Sequence, residues 1–237
     1  MSRPVILITG GARGIGRATA EARAPDHAIA LTYRTAADEA AVFRCAHPDS
    51  LILQADLARL DAPALIAAII AQFGRLDGIV NNAGLIAEEP PLPEFDMARA
   101  QQILNVNTLA PMAILSAALP HLAAGASVVN ITSINARFPP MGAPVYGASK
   151  AALENLTIAC AKTLGPRGIR VNAVSPGAVE HALAPRPPDL IRRFTDETAL
   201  GRLALQDEIA SAVRFLLSPA ASGITGTVLE VSAGYRL

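Results

Sequence analysis

Pro4-Val-Ile-Leu-Ile-Thr9 runs straight into Gly10-Gly-Ala-Arg-Gly-Ile-Gly16, and this junction decides how the chain folds. The first six residues form a short, β-branched, apolar run bounded by a proline and a glycine, which reads as a buried strand. From Arg17 the pattern turns helical. Strand, glycine-rich turn and helix in that order make a phosphate-binding unit. The glycines let backbone approach a pyrophosphate, and the helix start offers unpaired N–H groups and the positive end of its dipole. Gly10, Arg13, Gly14, Ile15 and Gly16 are therefore the first candidates for contact with a nucleotide. A glycine turn alone could be only a tight loop; the strand before it and the helix after it favour the ligand.

Outward from this unit, strands and helices alternate. Ala28–Tyr33 reads as the second strand, Ala36–Arg44 as a helix, and Leu51–Gln54 as the third strand, ending at Asp56-Leu57. Asp61 caps a helix running to Phe73, with Pro63 in its first turn and Gly74 at its end. Leu76–Val80 is the fourth strand and leads into Asn81-Asn-Ala-Gly84, where small residues let a flat ligand lie against backbone. A long helix is expected over roughly Asp96–Leu119, a strand over 127–133, and a helix from about Val145 to Leu164, ended by Gly165-Pro166. Ile169–Ser175 and Thr227–Val231 read as further strands, and Gln206–Leu217 as a helix. Residues 182–200, with Pro185, Pro187 and Pro188, read as an irregular substrate lid. The alternation predicts a doubly wound parallel α/β sheet in a single domain, 1–237, with no internal repeat.

Three positions carry cofactor chemistry. An acid just after the second strand would take a ribose 2′-hydroxyl, about 20 residues past the glycine loop. This chain has Tyr33-Arg34 there, and Arg13 inside the loop adds a second cation. Two guanidiniums suit a 2′-phosphate and so NADP rather than NAD, unless both are ordinary surface arginines. Asp56 either caps the following turn or meets an adenine amino group.

Ser133, Tyr146 and Lys150 carry the reaction chemistry. Tyr146 and Lys150 stand four apart and share one face of a helix. A phenol ionises near 10, and a cation within a few ångströms favours the phenolate. Ser133, at the end of an apolar strand, can bring its hydroxyl beside that phenol. Proton donor, tuning cation and carbonyl-holding hydroxyl suit carbonyl or alcohol chemistry. Alone, the Tyr/Lys pair would be a half-buried tyrosine with a surface lysine. Pro111 removes the N–H that a helix would aim at the Asn107 carbonyl. Either that carbonyl is offered to a water, or the proline simply kinks the helix onto the sheet.

Composition narrows the partners. With 51% hydrophobic residues the chain can fill one large core and is too apolar for disorder. Twenty basic and twenty acidic residues cancel, with no basic block, which argues against nucleic acid. Cys45, Cys160 and four scattered histidines suggest no metal site. The first strand starts too near Met1 for a signal peptide, and apolar runs such as Ala64–Ala71 fall short of the ~18 residues that span a membrane. A soluble cytoplasmic protein is expected.

Taken together, Thr9–Gly16, Asp56-Leu57, Asn81–Gly84, Asn107, Ser133, Tyr146 with Lys150, and Pro176-Gly177 resemble the short-chain dehydrogenase/reductase family over essentially the whole chain. The compact single-domain type is meant, similar to 3-oxoacyl-carrier-protein reductases and sugar or alcohol dehydrogenases. The resemblance implies a Rossmann-like sheet of about seven strands with helices on both faces. It implies hydride transfer between a nicotinamide, NADP with NAD possible, and a small carbonyl or secondary alcohol. It makes Tyr146 the acid/base, Ser133 the donor to the substrate oxygen, Lys150 the ribose ligand and tuner of Tyr146, and Asn107 the support of a relay water. Asn82, Ala83, Gly84, Pro176, Gly177 and Val179 would border the cofactor. It also implies a homo-oligomer, tetramer or dimer. The chain departs from the pattern in its polar first helix, which carries Glu21 and Arg23, in His181 where the family often has Thr, and in Val231-Ser-Ala-Gly234. A non-catalytic nucleotide-binding sensor or scaffold is the alternative from another class. Arg137, Arg186, Arg192 and Arg193 would serve an acyl-carrier substrate, or are solvated charges.

Overall fold

β1 (Val5–Ile8) sits near the middle of a sheet whose seven strands are all parallel. The computed structural model describes residues 3–86, 89–180 and 186–236. The strands stand in the order β3 (Leu51–Gln54), β2 (Ala28–Tyr33), β1, β4 (Gly78–Asn81), β5 (Ser127–Ile131), β6 (Arg170–Pro176) and β7 (Val228–Val231).

Side-chain alternation along β1 builds two cores. Val5 and Leu7 face one layer, packing with Leu65, Ile66 and Ile69 of α3 (Ala62–Phe73), Ile114 and Leu115 of α5 (Ala110–Ala118) and Leu164 of α6 (Pro144–Leu164). Ile6 and Ile8 face the other, with Ala20 of α1 (Gly14–Arg23), Phe43 of α2 (Ala37–Ala46) and Ile209, Val213 and Leu216 of α8 (Gln206–Leu217). A strand buried on both faces needs a continuous apolar run, which VILI supplies. Each fully buried Ile or Leu contributes roughly 1.5–3 kcal/mol. The chain runs from β1 outward to β2 and β3 on one side, and returns to β4 on the other. The connections therefore diverge at the C-terminal ends of β1 and β4, where such sheets open a crevice.

Local signals explain most boundaries. Asp61 Oδ1 accepts the Ala64 N–H at 2.9 Å, and Gly74 ends α3 at φ +73°. Asp96 likewise caps α4 (Met97–Leu104) by accepting from Arg99 N–H at 3.0 Å. Three expectations are corrected. α1 begins at Gly14, not Arg17, because the glycine turn feeds directly into helical backbone. α6 does end at Gly165, which is right-handed at φ −52°; a 3-10 turn follows, and Gly168 takes the left-handed conformation at φ +70°. The long helix is not uniform, since a π-turn at Asn105–Leu109 separates α4 from α5. The span 182–200 is not wholly irregular: α7 covers Pro188–Thr195, with its proline in the first turn, where no N–H is needed. His181 and residues 182–185 lie outside the described residues.

The helical stretch Met97–His121 is long and apolar enough to cross a membrane, contrary to the expectation from shorter runs. Half of its most apolar window is buried, with Ile103, Ile114 and Ala118 wholly inside the domain, so here it serves as a core helix.

Candidate active site

Two cavities meet at the C-terminal edge of β1 and β4. The smaller, about 270 Å³, is lined by Gly10, Arg13, Tyr33, Arg34, Asp56, Leu57, Asn82, Ala83 and Gly84. Nine expected cofactor residues thus share one wall. Gly10 (φ +63°) and Gly14 (φ +61°) take left-handed backbone that other residues adopt at a cost. The loop is pinned from both sides. Gly10 N–H donates to Thr32 Oγ1 at 3.2 Å, and Gly11 N–H to the Thr32 carbonyl at 2.9 Å. Thr9 Oγ1 accepts the N–H groups of Asn82 and Ala83, each at 3.0 Å, while Asn82 Nδ2 donates to the carbonyls of Thr9 and Gly10. Gly16 stands behind the loop rather than on the cavity wall, and a Cβ there would collide with the Gly10 carbonyl and Asn82 Nδ2. Its role is close packing of helix against turn. Asp56 does cap a turn, accepting Ala58 N–H at 3.0 Å, and it also faces the cavity. Arg13 and Arg34 both reach the cavity, and neither makes an ion pair among the described residues.

The larger cavity, about 710 Å³, shares Asn82 and Gly84 with the first and continues past Gly14 and Ile15 to Ser133, Tyr146, Lys150, Pro176, Gly177 and Val179. Ser133 follows the end of β5, and its Oγ accepts the Asn135 N–H at 3.1 Å. Ser133 and Tyr146 line the same cavity. Burial pushes the phenol pKa up, and the Ser133 hydroxyl offsets part of that rise. The expected lowering by Lys150 does not appear: its ammonium lies 5.9 Å from the Tyr146 ring centroid and is not among the groups that shift the phenol. Lys150 is itself buried, at 3% exposure, and burial lowers its pKa to about 8. Its Nζ donates to the Ile131 carbonyl at 2.8 Å, which fixes it at the end of β5.

Asn107 is wholly buried in the π-turn and does not line either cavity. Its Oδ1 accepts the Leu85 N–H at 2.7 Å, and its Nδ2 donates to the Leu85 carbonyl at 3.0 Å and to Ser149 Oγ at 2.9 Å. It clamps the loop after β4 to α6. The disturbance expected at Pro111 takes the form of the π-turn, in which Ala110 N–H reaches the Asn105 carbonyl five residues back.

Two features escaped the sequence. Glu89, from the loop after β4, accepts the N–H groups of Val145 and Tyr146 at 3.0 Å each. It caps α6, whose own N-cap residue, Ala143, has no side chain able to do so. Nothing local announces a cap supplied from more than fifty residues away. On the far wall of the large cavity, Leu190 and Phe194 come from the span read as a lid, but Tyr235 comes from the C-terminal segment, and only the fold brings it there. Among the described residues no group of three metal-ligating side chains converges.

A phenol, a hydroxyl and a buried lysine on one cavity, with a pinned glycine loop alongside, can manage proton traffic next to a bound dinucleotide. The chain is similar to known proteins along nearly its whole length. A family model described as enoyl-(acyl carrier protein) reductase matches residues 10–236. The chain is 36% identical to cis-4-hydroxycyclohexanecarboxylate dehydrogenase of Sinomonas cyclohexanicum, over 98% of this chain and 96% of that one. Among solved structures, it is similar to a short-chain dehydrogenase from Burkholderia cenocepacia in complex with NADP (TM-score 0.91, 32% identity, covering 98% of this chain and 97% of that one). It is also similar to a blue fluorescent protein from a metagenomic library in complex with NADPH (TM-score 0.93, 31% identity, 100% and 99% covered). With a seven-stranded parallel sheet, a pinned glycine loop and these likenesses along nearly its full length, the chain belongs to the short-chain dehydrogenase/reductase family of oxidoreductases.

Proposed function

We propose that the protein is an NADP(H)-dependent oxidoreductase that interconverts a ketone and a secondary alcohol, with Tyr146 as acid/base. The observation that carries this reading is the Ser133–Tyr146–Lys150 group opening into a cavity continuous with the one lined by the glycine loop. NADP(H) fits the residues present. The Gly10–Gly16 turn would receive the pyrophosphate, and Arg13 and Arg34 would receive the 2′-phosphate. When bound, the cofactor supplies or accepts the hydride.

The chain's own residues handle the proton. Ser133 holds the substrate oxygen by hydrogen bond. In reduction Tyr146 gives its proton to that oxygen; in oxidation it takes the proton back. Burial keeps the phenol protonated at neutral pH, the form that reduction requires. Lys150, with a pKa of about 8, can exchange protons under the same conditions, and its bond to the Ile131 carbonyl fixes it beneath the ring. Asn107 fixes the Leu85 backbone, and relay water beside Lys150 belongs to the same reading.

Ile86, Ile134, Leu190 and Phe194 give the large cavity apolar walls suited to a compact ring, and the Sinomonas relative is named for a ring alcohol. The test is to follow NADPH absorbance with a panel of ring and open-chain ketones, and NADH in parallel. Turnover of ring ketones with higher kcat/KM for NADPH supports the reading. Tight NADPH binding with no turnover of any ketone would make the protein a nucleotide-binding module instead.

A further inference from the structure

Among the described residues lining the large cavity, only Lys150 and Arg186 carry charge, and no carboxylate faces them. Lys150 is committed to the Ile131 carbonyl. Arg186 is different. Its Nη1 donates to the Val179 carbonyl at 2.5 Å, and its guanidinium lies 5.8 Å from the Phe194 ring centroid. These contacts use one of five N–H donors and hold the planar group in place. Four other arginines of the region are ion-paired, Arg137 with Glu230, Arg192 with Asp189, Arg202 with Glu208 and Arg236 with Glu197. Arg186 makes no ion pair among the described residues. A guanidinium held in a mostly apolar pocket without a counter-charge favours an incoming anion, and its fork matches a carboxylate with two parallel bonds.

We propose that Arg186 forms an anion subsite of the substrate cavity, selecting a ketone or alcohol that carries a carboxylate away from the reacting carbon. The subsite rests on the reading of this cavity as the site of carbonyl reduction. Cofactor phosphate is the other anion that could reach the guanidinium, and the experiment separates the two.

The probes are 4-oxocyclohexanecarboxylate and its methyl ester, which share a skeleton and differ in charge. Wild type is expected to favour the acid at least tenfold in kcat/KM, mainly through KM. Arg186→Ala should bring the preference to about one, Arg186→Lys should keep part of it, and Arg186→Glu should favour the ester. Arg186→Gln replaces the alanine variant if that one fails to fold. NADPH affinity, read by fluorescence titration, should not follow the preference. Equal kcat/KM for acid and ester in wild type would overturn the subsite and leave the reductase reading intact. A preference unchanged in Arg186→Ala, or a loss confined to NADPH affinity, would also overturn it. No turnover of either probe while other ketones are reduced would overturn the subsite alone; no turnover of any ketone would overturn the reductase reading with it.

Discussion

The carboxylate of Glu89 accepts the backbone N–H of Tyr146 at 3.0 Å, so the residue proposed as acid/base sits on a helix turn fastened by another loop. The same carboxylate takes the Val145 N–H, and the Glu89 N–H donates to the Gly142 carbonyl. A negative group at a helix start is favoured by unpaired N–H groups and by the dipole. Glu89→Ala is expected to cost about 1 kcal/mol of stability, the usual worth of an N-cap, and to lower kcat more than it raises KM. Glu89→Gln, which keeps an acceptor, should recover part of both. Thermal denaturation and steady-state kinetics check this; a Glu89→Ala enzyme with wild-type kcat would show that the cap does not position Tyr146.

Buried Lys150 ties stability to pH. Its folded pKa is about 8 against an ordinary 10.5, so the unfolded chain holds the proton more tightly. Below about pH 8 the full cost of burying the charge is present. Between about 8 and 10.5 the folded state has released its proton while the unfolded state keeps it, and stability rises with pH. The shift corresponds to on the order of 3 kcal/mol. Lys150→Met should remove that rise, though it also leaves the Ile131 carbonyl without its partner. Urea melts of both proteins across this window test it, and parallel pH profiles would contradict it.

Arg13 and Arg34 share one cavity wall without ion-pair partners among the described residues. A charge-assisted hydrogen bond is worth about 1.5–3 kcal/mol, so Arg34→Ala should weaken NADPH tenfold or more and NADH little. Calorimetric titration of both cofactors decides the point. Equal losses for the two would mean that the guanidinium does not read the 2′-phosphate.

Most of the framework was legible because it is written locally. VILI before a glycine turn, Asp61 with Pro63 and Gly74, and the spacing of Ser133, Tyr146 and Lys150 each state a conformation within a few residues. Arg34 also reaches the cavity expected of it, despite the unusual first helix, where Glu21 pairs with Arg17 and His47. What stayed illegible depends on distance or on solvation. The Glu89 cap joins segments far apart in sequence. The rise in the Tyr146 pKa comes from burial, which spacing to a lysine does not reveal. Gly165 does stop α6, but Pro166 fits the first turn of a following 3-10 segment, so the left-handed turn falls at Gly168. Proline at 188 opened a helix for the same reason.

The central claim is that Tyr146 moves the proton in NADPH-dependent carbonyl reduction. The most direct measurement is single-turnover reduction of a ring ketone by wild type and Tyr146→Phe, each saturated with NADPH, with NADPH affinity measured on the same samples. Phenylalanine keeps the packing and removes the transferable proton. The reduction rate is expected to fall about 10²–10⁴-fold, the usual worth of a general acid, with NADPH binding little changed. A Tyr146→Phe enzyme that reduces the ketone at close to the wild-type rate would contradict it.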